Sequence, residues 1–146
     1  MAHDDSYHRL LQRFAAAIGI KQLAFDAAGH CNLYVNDTIP LTIKRSDDGQ
    51  TLTVLCSLEQ GLPSEIEQYW AQRVLEIALN PARNAPGIGF APASNSLILY
   101  RILPLSALEV DKLQSVIAEL LAIREQWPQQ LAAPSLPPQR AWITRA

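Results

Sequence analysis

The sequence predicts an α+β domain in which a twisted antiparallel sheet packs against helices, and three observations carry that prediction. Apolar residues recur at three- and four-residue spacing in three separated stretches, the period of helices with a buried face. Between them lie short runs with strand-like alternation, bounded by Gly, Asp and Pro. The order is helix, three or four strands, helix, two strands, helix; strands follow one another directly, which favours an antiparallel sheet over a parallel α/β one. With 146 residues and 49% hydrophobic content, the chain is long enough for one core and too short for two ordinary domains. Residues 1–128 are assigned to the domain and 129–146 to a Pro-rich, flexible tail, extended or disordered.

Asp5 or Ser6 is placed to cap the first helix, in which Tyr7, Leu10, Leu11, Phe14 and Ile18 form a stripe that Gly19 terminates. Two extended runs follow, Leu23 to Asp26 and Cys31 to Val35, joined as a hairpin by Ala27, Ala28 and Gly29. Cys31, Leu33 and Val35 face one way, Asn32 and Tyr34 the other. The runs Ile39 to Ile43 and Leu52 to Leu58 flank Asp47, Asp48 and Gly49, the strongest turn signal in the chain. A four-stranded meander is the expectation.

Gly61 and Pro63 interrupt the sheet, and Ser64 with Glu67 makes a capping box for a second helix that Pro81 ends near Asn80. Its apolar residues, among them Ile66, Tyr69, Trp70, Val74, Leu75, Ile77 and Leu79, cover more of the circumference than one core-facing stripe requires. A second cover, most naturally a partner subunit, follows. The stretch Asn84 to Pro92 contains Gly87 and Gly89 but neither the third glycine nor the preceding strand of a nucleotide fingerprint, so it reads as a loop leading into a short strand.

From Ser96 the chain reads as a strand, a turn and a long helix. Leu97, Leu99 and Leu103 alternate with Ile98, Tyr100 and Ile102, so both faces of this strand are apolar and both need covering. Pro104 ends the ladder, and Ser106 with Glu109 makes a second capping box, which sets the helix start near Ala107. Leu113, Val116, Ile117, Leu120, Leu121 and Ile123 then mark its apolar face until Pro128. Beyond it, Pro134, Pro137 and Pro138 favour extended backbone, with Trp142 and Ile143 isolated among polar neighbours.

Composition excludes several function classes. A formal charge of −2 and scattered basic residues provide no field for phosphate backbones, so nucleic acid is not expected as a partner. Asp4 and Asp5 stand where a secretory signal would be basic, and no run reaches a membrane span's length; the expected compartment is the cytoplasm, with no membrane partner. There Cys31 and Cys56 act as small apolar residues. His3, His8 and His30 lack second ligands at metal-binding spacing, so no metal or other cofactor is expected. Asp4 with Asp5 and Asp47 with Asp48 suit a helix start and a turn, and no Gly-x-Ser-x-Gly elbow occurs. No catalytic residue is assigned. A small hydrolase or transferase using His30 and Cys31 would need a pocket holding a perturbed titratable pair.

Leu23 to Leu33, LAFDAAGHCNL, resembles the first hairpin of the class I chaperones of bacterial type III secretion, the Tir chaperone family. Gly87 to Phe90 followed by LILYRILPLSAL, from Leu97 to Leu108, resembles that family's second strand pair and its turn into the last helix. The resemblance runs from about Tyr7 to Trp127 and does not reach the tail. It implies an ATP-independent homodimer that holds the extended N-terminal segment of a secreted effector, with the secretion-apparatus ATPase as a further candidate partner. Client contacts would fall on Leu10, Leu11, Phe14, Ile18, Leu33 and Val35, and the dimer interface on Ile66, Trp70, Val74, Leu75, Leu97 and Leu99. A regulatory member of the same fold, sequestering a controller of secretion-gene expression, is the alternative.

Overall fold

The computed structural model describes residues 2–58 and 61–131. Helix α1 (Ala2–Ile18) leads into strands β1 (His30–Val35), β2 (Ile39–Arg45) and β3 (Thr51–Ser57). Helix α2 (Gln68–Ala78) and a 3₁₀ turn (Asn80–Arg83) follow, then β4 (Gly87–Ala91), β5 (Ser96–Pro104) and α3 (Val110–Leu131). All pairings are antiparallel, in the order β1-β2-β3-β5-β4. The α+β class therefore holds, with a three-stranded meander extended by a hairpin that enters beside β3.

The first hairpin differs from the sequence expectation: Leu23 to Asp26 forms no strand. The Asp26 carboxylate accepts hydrogen bonds from the backbone amides of Ala28 and His30, both at 2.9 Å, which closes a turn where a ladder would have started. Leu23 is buried, and the Phe25 ring meets Tyr7 edge-on at 5.8 Å. The β1–β2 turn is made by Asn36 and Asp37, both left-handed (φ 53° and 61°), with the Thr38 amide donating to Val35 at 3.2 Å. With Val35 paired to Ile39, the loop holds three residues, Asn36 to Thr38. At the β2–β3 turn, Ser46 donates to the Asp48 carboxylate at 2.6 Å and Gly49 takes φ 73°.

Neither capping box forms. Helix α2 begins only at Gln68, with Glu67 extended and making no side-chain cap. Helix α3 begins at Val110, because Ala107 lies in the left-handed region (φ 60°) and the Leu105 amide is held by the Gln50 carbonyl at 2.9 Å, so no helical turn fits there. At the other end α3 runs three residues past Pro128, which removes one backbone donor without ending the helix. Gly19 does stop α1: at φ 79° its amide bonds back to Ala16, and Ile20 bonds to Ala15.

Alternation sorts the sheet into two faces. Cys31, Leu41, Ile43, Leu52, Val54, Cys56, Leu97, Leu99 and Leu103 are buried on the face that carries α1 and α3, with Leu11, Leu113, Val116 and Leu120 packed among them. Arg101 falls in the same inward row, and its guanidinium reaches Glu119 of α3 at 2.9 Å. A charge in that row is tolerated because it is paired. Leu55, Ile98, Tyr100 and Ile102 line the opposite face. The 3₁₀ turn reaches that face at Gly87, where an added Cβ would lie 2.5 Å from the Pro81 ring and 3.1 Å from Tyr100.

Candidate functional site

The site is an apolar groove of about 390 Å³ between α1, α3 and the β1 edge of the sheet. Phe14 and Ile18 of α1 are four residues apart and so share a face, and Ile20 follows just past the Gly19 stop. Gln114, Ile117, Ala118 and Leu121 form the wall from α3 at the one-face spacing of a helix. Leu41 forms the floor with Leu33 and Val35 of β1. Tyr34 and Asn36 reach the groove from the strand's border. No lining residue is charged.

Among the described residues β1 pairs as a strand with β2 alone; Asp26 bonds to the His30 amide and carbonyl at the start of β1, and no strand lies along its other edge. An apolar groove along an unpaired edge suits an extended chain: backbone groups satisfy the edge, and alternate side chains enter the groove.

Of the six residues expected to contact a client, the structure brings Phe14, Ile18, Leu33 and Val35 together here. Leu11 does not join them, being 1% exposed in the core. Leu10 is also buried and borders a separate, smaller groove beside Arg9, Arg13 and the start of α3. A helical stripe this wide is divided between the sheet below and the groove beside it, and sequence spacing does not mark the dividing line. The α3 wall and Ile20 were not expected. The partly polar row Gln114, Ile117, Ala118 and Leu121 is the signal that could have found the wall.

The six residues expected at an interface also divide. Ile66, which precedes α2 rather than lying within it, is exposed, and Leu75 is 69% exposed. Trp70 and Val74 pack partly against the core beside buried Ile77. Leu97 and Leu99 lie in the inward row at 2% and 0% exposure, in the core of one chain rather than on its surface. The outward face is Ile98, Tyr100 and Ile102, the last 54% exposed; Leu79 adds to the uncovered apolar surface of the α2 segment.

Cys31 and Cys56 are buried thiols. Burial pushes the Cys31 thiol up from its ordinary value, with the Asp26 charge adding to that direction against a hydrogen bond at Ala24. That shift is opposite to the one a nucleophilic thiolate requires. Among the described residues no group of three or more His, Cys, Asp or Glu stands close enough to hold a metal ion, and no helix is long and apolar enough to cross a membrane. The Pro-rich tail beyond Leu131, including Trp142, lies outside the described residues.

A groove of this kind on an α+β scaffold defines a class of module built to hold extended polypeptide. The chain belongs to the Tir chaperone protein (CesT) family, whose model matches residues 9–128. It is similar to a chain of the HopA1–SchA chaperone–effector complex, at 28% identity and a TM-score of 0.74, over 88% of this chain and 98% of that one. A chain of the ExsC–ExsE complex superposes with a TM-score of 0.75 at 22% identity, over 90% and 98% of the two chains. A chain of the heterodimeric ExoU–SpcU complex from the type III secretion system of Pseudomonas aeruginosa does so with a TM-score of 0.60 at 18% identity, over 88% and 98%. The last two likenesses are of fold. No curated protein matches the sequence.

Proposed function

We propose that this chain is a cytoplasmic, ATP-independent chaperone of type III secretion, which holds the N-terminal segment of a secreted effector extended along β1 and keeps it unfolded for export. The observation that carries the reading is the uncharged groove beside an unpaired strand edge. The similarity to a chaperone–effector complex at 28% identity supports it. Strand pairing supplies affinity independent of sequence, and the groove selects apolar side chains at alternate positions of the client. Such a role needs no catalytic group. A homodimer formed through α2 and the outward face of β5 completes the reading, since Ile66, Leu75, Leu79 and Ile102 are large apolar side chains left uncovered in one subunit. A regulatory protein of the same fold would use the same groove, and the identity of the bound segment separates the two.

The test is calorimetry against the N-terminal segment of an effector encoded beside this gene. Ile18→Asp is the informative variant, because Ile18 lines the groove yet is 37% exposed, so the fold tolerates the change. A carboxylate desolvated by the client should weaken binding by roughly a hundredfold, about 3 kcal/mol. Undiminished binding by Ile18→Asp and by Leu121→Asp, with melting temperatures near wild type, would refute the site.

A further inference from the structure

The family match ends at residue 128, and the chain of the HopA1–SchA complex is covered over 98% of its length by only 88% of this one. Residues 129–146 lie beyond the part of the chain that the family model matches. Segment 132–146, AAPSLPPQRAWITRA, contains two arginines, no acidic residue, and Leu136, Trp142 and Ile143 as its large apolar side chains. A tryptophan brings 150–250 Å² of surface whose removal from water is favourable, on the order of several kcal/mol. The groove offers an uncharged lining and a volume of about 390 Å³, within the range of sites that enclose small ligands.

The distances permit the two to meet. Helix α3 ends at Leu131, ten residues beyond Leu121 of the groove wall, so the end of the helix stands about 15 Å from the wall. From Leu131 to Trp142 is eleven residues, which span up to about 36 Å when extended. Pro134, Pro137 and Pro138 disfavour further helix and favour the extended backbone such a return needs.

We propose that the chain's own C-terminal segment occupies the groove when no client is present, seating Trp142 and Ile143 against Phe14, Ile18, Leu33 and Leu121. The segment thus covers an apolar surface that would otherwise attract unrelated chains, and a client must displace it. Tethering supplies an effective concentration of about 1 mM, so a segment whose untethered affinity is only about 100 µM fills the groove some nine-tenths of the time. Client affinity is then reduced about tenfold.

The experiment is ¹⁵N NMR on the full chain alone, wild type against the Trp142→Ala, Ile143→Ala double variant. Both changes lie outside the described fold, so folding is not at stake. The expected result is an order parameter near 0.85 at Trp142 in the wild type, with amide shifts between the two proteins confined to the groove. A value below about 0.6 at Trp142 with unchanged groove amides overturns the proposal. Shifts at Ile98 and Ile102 instead would place the segment on the outward face and also overturn it. No client enters this measurement, so its outcome is separate from that of the effector-binding test.

Discussion

Changing Ile102 to Glu tests the proposed subunit interface with little risk to the fold. In one subunit the side chain is 54% exposed on the outward face of β5, opposite the core, so the monomer's stability should change by no more than about 0.5–1 kcal/mol. Fully burying an isoleucine is worth about 1.5–3 kcal/mol, so covering the exposed half contributes about 1 kcal/mol per copy. A two-fold interface uses the residue twice, which gives about 2 kcal/mol, or roughly thirtyfold in the dimer dissociation constant. Two carboxylates brought out of water oppose association further, so a weakening of at least a hundredfold is expected. Sedimentation equilibrium over a concentration series measures it, with the wild type near twice the 16.2 kDa chain mass at tens of micromolar and the variant near one chain mass. Equal association by the two proteins would refute the assignment of this face, and a monomeric wild type would remove the dimer itself.

Gly87→Ala should destabilise the fold by about 1–3 kcal/mol, read as a lower urea midpoint at unchanged slope. Its Cβ would fall 2.5 Å from the rigid Pro81 ring, forcing the 3₁₀ turn off the sheet. Thiol reagents should leave Cys31 and Cys56 unmodified in the native protein at neutral pH and label both in urea, since both are buried and the Cys31 thiol is pushed up by desolvation. The Asp26 carboxyl is held below its usual value of 3.8, first by the hydrogen bond from the His30 amide. A depressed folded-state pKa stabilises above the unfolded value and ceases to do so as pH falls through the folded one. The melting temperature of the wild type should therefore exceed that of Asp26→Asn at pH 6, with the gap closing below pH 3.8.

Local chemistry was legible where it acts within a few residues. The stripe Tyr7 to Ile18 and its Gly19 stop, the Asp47–Gly49 turn, and the alternation of Cys31, Leu33 and Val35 against Asn32 and Tyr34 all appear in the structure as their spacing dictates. The capping boxes failed because a box specifies only a compatible pattern. Just before Ser106 the Leu105 amide is pinned by Gln50, some 55 residues earlier in the chain, and Ala107 takes a left-handed conformation that a helix does not include. Leu23 to Asp26 failed similarly, since one aspartate took the amides of a would-be hairpin.

The sequence by itself determined the class of the domain, the order of its elements and the two-sided apolar character of β5, because these follow from periods of two and three to four residues along the chain. Which of two apolar faces meets the core was decided only in three dimensions. Leu97 and Leu99 face α3 and Ile102 faces outward because the β3–β5 register sets Leu99 opposite Cys56 and Leu103 opposite Leu52, both on the covered side. The groove was decided there too. Phe14, Leu33 and Leu121 stand on three elements separated by most of the chain, and their meeting depends on how α1 and α3 lie across the edge of the sheet, a relation no local period records.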